Sequence, residues 1–255
     1  MLIGEPPRTQ ADLNFVLFGV PVRIHPFFWV ISILLGLNSG DGQDSGDATS
    51  LLTWIVVIFV SILVHEFGHA VAIRYFGWRP WITLYAMGGL ASHHQDHSPN
   101  AGRPSVQIII SLAGPAAGFV LAGIVIATLY LTEHSTDFMG VEIGTGDPIF
   151  RDKIRYLVIQ LLWVNIMWGL VNLLPVYPLD GGQVAREIFT LFGARQGIVN
   201  SLKLSVITAA AMAAVGLFHF GSFYIALMFG FLAYSSYQAL QAYSGRGGYG
   251  GGRPW

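Results

Sequence analysis

The chain has 255 residues, of which 53% are hydrophobic and only 11% are charged, and its formal net charge is -1 at pH 7. A soluble domain carries about a quarter charged residues, so this composition favours a membrane protein, and the balanced charge offers no basic surface for nucleic acid. The absence of cysteine excludes disulfides, thiolate metal ligands and a cysteine nucleophile.

Six apolar segments predict an all-α polytopic membrane protein with about six transmembrane helices. Most of them approach the ~20 residues that cross the hydrocarbon core, although the first is short and the last two are separated by only a short turn. In chain order they comprise residues 26–37, 51–76, 106–131, 156–174, 204–218 and 223–237.

The charges of the connections predict the orientation. The 38–50 connection carries three Asp and no Lys or Arg, so we expect it to lie outside the cytoplasm. Alternation from there puts both termini and most of the 13 basic residues on the cytoplasmic side of the cell (inner) membrane. We therefore expect a cytoplasmic N-terminal segment 1–25, a six-span domain 26–243 and a flexible Gly/Arg-rich tail 244–255. Such a tail can also contact RNA or anionic lipid.

An HExxH motif, formed by His65, Glu66 and His69, lies inside the second apolar segment. Helical residues at i and i+4 share a face, so both imidazoles can bind one metal ion. Glu66, next to the first ligand, can then take a proton from a water that the metal activates. The alternative is a solvated histidine pair, but buried ionisable groups in an apolar span need a compensating partner.

Asp180 is the favoured third ligand, since a catalytic zinc site usually has three protein ligands and one open position. Pro175 and Pro178 interrupt any helix before Asp180, and Gly181 and Gly182 follow it, so the backbone can approach closely there. Irregular backbone at membrane depth is tolerated where it lines a cavity. A turn capped by Asp180 is an equally good interpretation of the spacing. Glu187 is interpreted as a charge at a helix end.

A second polar cluster contains His93, His94 and His97. These histidines could form another metal site, a gate over the cavity or a solvated loop, and Ser98, Pro99 and Gly102 nearby argue against a helix. A solvated loop is the favoured interpretation.

The combined motifs resemble the site-2 protease family of zinc intramembrane metalloproteases. The resemblance covers most of residues 21–183 and rests on HEFGH in a span followed by Asn172, Pro175 and the Asp180-Gly-Gly sequence. Three further segments are similar to the family: residues 19–26, residues 82–89 and the AGPAAG sequence at 113–118. The 82–89 segment implies a short membrane-associated strand or re-entrant segment after the second span. Gly118 stands where members often have Asn, which puts a substrate contact there in doubt.

This resemblance implies a minimal form, without the PDZ or CBS modules of some members. His65, His69 and Asp180 would bind one Zn²⁺ per chain, Glu66 would act as general base and then acid, and Asn172 would bind substrate or support the transition state. The implied activity is cleavage of a peptide bond within or near a transmembrane segment of a membrane-anchored protein, in regulated proteolysis. The alternative is a non-proteolytic membrane protein, such as a metal transporter or scaffold, that retains the motif.

Overall fold

Helices dominate the computed structural model, which describes residues 5–38, 48–86, 88–93, 102–149 and 152–245. Five of the helices in this described part are long and apolar enough to cross a membrane, and a shorter apolar helix precedes them. The helices are α1 Pro26–Asn38, α2 Ala48–Tyr75, α3 Pro104–Leu131, α4 Asp152–Asn172, α5 Asp180–Thr190, α6 Ala194–Phe218 and α7 Phe223–Gly245.

The six predicted apolar helices are confirmed as α1, α2, α3, α4, α6 and α7. The short helix α5 was not predicted, because its polar sequence cannot be a span. Helix α7 continues eight residues past its predicted end at Tyr237, which takes it into the predicted tail. Residues 246–255 of that tail, and residues 39–47 of the predicted outer connection, lie outside the described residues.

Two small sheets accompany the helices. The first has the order β1-β2-β3-β4, with β2 and β3 parallel and the other pairs antiparallel. Its strands are β1 Leu13–Leu17, β2 Val20–Ile24, β3 Pro80–Tyr85 and β4 Gly88–His93. The predicted strand after the second span is therefore part of a four-stranded sheet. The second sheet, of order β6-β5-β7, was not predicted and contains β5 His134–Phe138, β6 Val141–Gly144 and β7 Asp147–Pro148.

The chain divides into two compact units. Within the described residues, the first unit takes in 5–93 and 113–170, and the second takes in 102–112 and 171–245. In the first unit the inner face of the four-stranded sheet packs on α2, where Ile82 and Leu84 join Val57 and Ile62 in one buried cluster. In the second unit α6 and α7 form a hairpin on which the segment before α5 packs.

A polar cluster around Arg23 ties the N-terminal residues to the first sheet. The Arg23 guanidinium binds the carboxylates of Glu5 and Asp12 at 2.9 and 3.0 Å. A hydrogen bond from the Thr9 hydroxyl is the largest cause that lowers the pKa of Asp12 to about 2, with Arg23 adding to it. Burial alone would raise the pKa of Glu5, but hydrogen bonds from Thr83 and others bring it below its usual value. Both carboxylates are thus stabilised as anions.

Candidate metal centre

His65 and His69 lie side by side on α2. Their Nε2 atoms are 3.2 Å apart and their ring planes meet at 76°. The two residues are only 4% and 8% exposed, and Glu66 is 5% exposed. Two facing neutral imidazole nitrogens can share one proton at most, whereas a cation can be bound by both lone pairs. The helical spacing therefore gives the arrangement that the motif predicts, with both Nε2 atoms available to one ion.

Glycines make room for the side chains of the motif. A Cβ placed on Gly114 of α3 would overlap the His69 ring, and a Cβ on Gly89 of β4 would overlap the Glu66 carboxylate. On α2 itself, Gly68 lies so close to the backbone of Ala113 that a Cβ there would overlap its carbonyl. Small residues allow transmembrane helices to approach in this way. Gly114 and Gly89 thus leave the space that the His69 and Glu66 side chains occupy.

A polar contact joins α2 and α4 one helical turn before His65. The Asn165 amide Nδ2 donates to Ser61 Oγ at 2.9 Å and to the Leu161 carbonyl at 2.8 Å, so both of its protons are used. Such interhelical bonds in membranes contribute roughly 0.6 kcal/mol on average. This pair was not predicted from the sequence, although a polar Asn within an apolar span is a signal that could have indicated it.

The segment between α4 and α5 brings Asp180 to the start of a helix. Helix α4 ends at Asn172 and α5 begins at Asp180, with the two prolines in the irregular stretch between them. A Cβ on Gly181 would overlap the Leu173 carbonyl, and one on Gly182 would meet the Val176 carbonyl. The glycines are therefore required for the first turn of α5 to pack against the segment that precedes it.

Asp180 is not the residue that caps this helix. The N-cap position is taken by Leu179, and Asp180 lies in the first helical turn, 9% exposed. A carboxylate in the first turn is stabilised by the helix dipole, by about 0.3–1 kcal/mol. The interpretation of Asp180 as a turn-capping residue therefore does not describe the structure.

Three of the predicted ligands come together. One ligand atom each of His65, His69 and Asp180 lies within 4.8 Å of the others. In the part of the chain that the structure describes, this is the one such group of three His, Asp or Glu side chains. Two imidazoles and one carboxylate are a donor set that zinc takes in catalytic sites, so these residues fit the ion that the sequence predicts.

Asn172 and Glu187, the other polar residues considered in the sequence, do not belong to this group of three. Asn172 is the last residue of α4, 8% exposed, and is not part of this group. Glu187 lies in the last turn of α5, where it is buried, 3% exposed, and accepts hydrogen bonds from Arg186. A buried carboxylate needs such a partner.

His93 ends β4, where its ring lies 4.8 Å from that of Trp78 at an angle of 32°. It is thus a strand residue in contact with an aromatic ring. His94 and His97 lie outside the described residues, so the choice between a gate, a metal site and a solvated loop stays a prediction for them.

Several proteins, two of them named as zinc metalloproteases, resemble the chain in sequence. A zinc metalloprotease of Methanocaldococcus jannaschii is 27% identical over 79% of this chain and 51% of its own length. A putative zinc metalloprotease of Synechocystis is 31% identical over 68% and 42%, and stage IV sporulation protein FB of Bacillus subtilis is 25% identical over 74% and 53%. The chain thus spans about half the length of these relatives.

The fold and the family agree with this resemblance. The site-2 protease from Methanocaldococcus jannaschii has the same fold, with a TM-score of 0.56 over 89% of this chain and 94% of that one, at 21% identity. Residues 53–218, which include the HExxH motif and Asp180, match the sequence model of peptidase family M50. The predicted resemblance is confirmed, and the chain belongs to peptidase family M50.

Proposed function

We propose that this protein is a zinc-dependent intramembrane endopeptidase that cleaves a membrane-anchored protein within or near its transmembrane segment. The observation that carries the proposal is the pair of histidine Nε2 atoms 3.2 Å apart in a buried stretch of α2, a helix apolar enough to cross a membrane. The convergence of Asp180 on this pair and membership of a peptidase family support it.

The chain supplies the ligands for one zinc ion from His65, His69 and Asp180. Zinc bound there would supply Lewis acidity, which polarises a peptide carbonyl and makes water acidic enough to ionise near neutral pH. The protein has no cysteine, so nitrogen and oxygen donors alone define the site. That donor set and the three protein ligands are typical of catalytic rather than structural zinc.

Glu66 takes the role of proton carrier. It follows the first histidine directly in the motif, and its carboxylate lies against Gly89 of β4. There it would accept the proton of the attacking water and pass it to the leaving amine.

The strand β4 offers a place for an extended substrate. It is at the edge of the first sheet, with β3 as its neighbour, and its Gly89 lies next to Glu66. An unwound transmembrane segment could add to such an edge through main-chain hydrogen bonds. Asn172, at the end of α4, would bind the substrate or support the transition state.

The five candidate spans of the described residues support an integral membrane protein. The distribution of basic residues suggests how it is oriented in the membrane. We propose that both termini face the cytoplasm, that the membrane is the cell (inner) membrane, and that the cleavage serves regulated proteolysis. The basic residues of the connections support this orientation.

The test replaces Glu66 by Gln in the full chain and measures cleavage of a model membrane-anchored substrate in proteoliposomes. We expect the rate to fall by about 10²–10⁴-fold, which is the contribution of a general base. Zinc content should stay as in the wild type, because Glu66 is not a ligand. The exposed Glu142, replaced by Gln, is the matched control and should cleave normally. Full activity of Glu66→Gln would refute the proposal.

A further inference from the structure

The backbone of Tyr177, three residues before Asp180, is held by two serine hydroxyls. Its N–H donates to Ser205 Oγ of α6 at 3.1 Å, and its carbonyl accepts from Ser236 Oγ of α7 at 3.2 Å. Without the serines, the N–H and the carbonyl of Tyr177 would lack these hydrogen bonds in an irregular segment with apolar surroundings. Each unsatisfied backbone group there costs free energy. The two helices thus bind the donor and the acceptor of one residue.

The serines are built into the helix hairpin rather than placed on its surface. Ser205 and Ser236 are 2% and 0% exposed. Ser205 Oγ also donates to the carbonyl of Ser201 at 2.9 Å, so its proton is used and a lone pair is left for the Tyr177 N–H. A hydroxyl has one donor and two acceptor sites, so Ser205 can donate to the Ser201 carbonyl and accept from the Tyr177 N–H at the same time.

The held residue is mechanically linked to Asp180. The N–H of Leu179 donates to the Val176 carbonyl at 2.8 Å, which closes a turn around Tyr177, and Leu179 is the N-cap of α5. Val176 is fully buried in a cluster with Phe229 and Leu232 of α7. A shift of the Tyr177 peptide would therefore move the first turn of α5, which carries Asp180.

Helix α7 takes part in this contact although it lies beyond residues 53–218, the range that matches the family. The contact is therefore a property of this chain that the family match does not assign. The neighbouring Ser235 offers a comparison: it is also buried on α7, and its hydroxyl has no hydrogen-bond partner in the described part of the chain.

We propose that Ser205 and Ser236 are positioning residues that hold the Tyr177 peptide and thereby place the Asp180 carboxylate for metal binding. The inference rests on the proposed metal site, and it assigns the hairpin of α6 and α7 a role in that site. The hydroxyls touch neither substrate nor metal and act through the backbone.

The test uses the purified full chain in detergent, with the variants Ser205→Ala, Ser236→Ala and both together. The zinc dissociation constant is measured by competition with a chelator, and the exchange rate of the Tyr177 amide hydrogen by mass spectrometry. We expect the double variant to bind zinc at least about 10-fold more weakly, as for the loss of partners that orient metal ligands. Its Tyr177 amide should exchange faster. Each single variant should show a smaller change in the same direction. If the double variant does not fold, the zinc affinity and the Tyr177 exchange of the single variants test the inference.

Ser235→Ala is the matched control, since it removes a buried hydroxyl from the same helix without removing a described hydrogen bond. It should leave zinc affinity and Tyr177 exchange unchanged. An equal loss of affinity in Ser235→Ala would overturn the inference, because general loosening of the hairpin would then explain the effect. Unchanged zinc affinity in the double variant, despite faster exchange at Tyr177, would also overturn it and leave the proposed function standing. A wild type whose zinc does not depend on His65 would overturn both.

Discussion

His65 and His69 are placed by one regular helix, whereas Asp180 is placed by the packing of a short irregular segment. The histidine pair needs only the i, i+4 geometry of α2 and the space that Gly114 leaves beside the His69 ring. Asp180 depends on glycines that meet carbonyls, on a closed turn and on hydrogen bonds from two helices. The first arrangement is local in sequence, and the second requires tertiary structure.

The largest effect is expected when a ligand on α2 is removed. This change tests whether the histidine pair is needed for zinc binding and cleavage. We expect His65→Ala to lose zinc from the purified protein and to lower cleavage by more than about 100-fold, beyond what the loss of an outer partner costs. Metal analysis and a cleavage assay measure this. His219→Ala, at an exposed histidine that follows α6, should behave as wild type. Equal zinc in both variants would contradict the ligand assignment.

A methyl group added on α3 beside His69 tests whether zinc binding depends on the exact position of the His69 ring. The Cβ of Gly114→Ala would overlap the imidazole, so we expect the ring to move and zinc affinity to fall by about 10–100-fold. Gly118→Ala is the control one turn further along α3, because its Cβ would lie 3.4 Å from the Asn165 carbonyl oxygen, an ordinary contact. If the two alanines had the same effect, crowding at His69 would not be the cause.

A methyl group on β4 should separate catalysis from metal binding. Gly89→Ala would displace the Glu66 carboxylate, so we expect kcat to fall by up to about 100-fold, the cost of a 1 Å misplacement. Zinc content should not change. Gly123→Ala, where a Cβ meets nothing within 4 Å, serves as the control. A loss of zinc in Gly89→Ala would show that the strand supports the ligands instead of Glu66.

The smallest effect is expected at the polar cluster around Arg23, which ties the N-terminal residues to the first sheet. The pKa of Asp12 is lowered to about 2, so its anion stabilises the folded state above its ordinary pKa, and this stabilisation is lost as the pH falls toward 2. We expect Asp12→Asn to lower the Tm modestly at pH 7 and to match the wild type near pH 2. Thermal unfolding across this range measures it, and a Tm difference that persists at pH 2 would contradict the assignment.

The part of the site on α2 could be predicted because its information is local. Long apolar runs predict spans, and His65 and His69 at i and i+4 predict a shared face without knowledge of any neighbour. The third ligand could be predicted only as one of two interpretations of the spacing. The position of the N-cap at Leu179 excludes the capped turn and depends on how the segment packs, and the assignment of Asp180 as a ligand stays a prediction.

Helix α5, the second sheet and the two serine contacts depend on tertiary contacts, which the lengths of the apolar segments do not indicate. Helix α5 has 11 residues and contains Arg186 and Glu187, whose burial as a pair is a tertiary property. The second sheet consists of strands of two to five residues, too short for a clear alternation of polar and apolar side chains. Ser205 and Ser236 are unremarkable in sequence, because serine is common in membrane helices and its partner is a backbone group.

The most direct test of the account is the zinc content of Asp180→Ala, since the central claim is that a carboxylate from the irregular segment completes the site on α2. We expect about one zinc per chain in the wild type and far less in Asp180→Ala, because three protein ligands are the norm for catalytic zinc. Asp147→Ala, at an exposed residue of β7, should keep the wild-type content. The same zinc content in Asp180→Ala and wild type would contradict the claim.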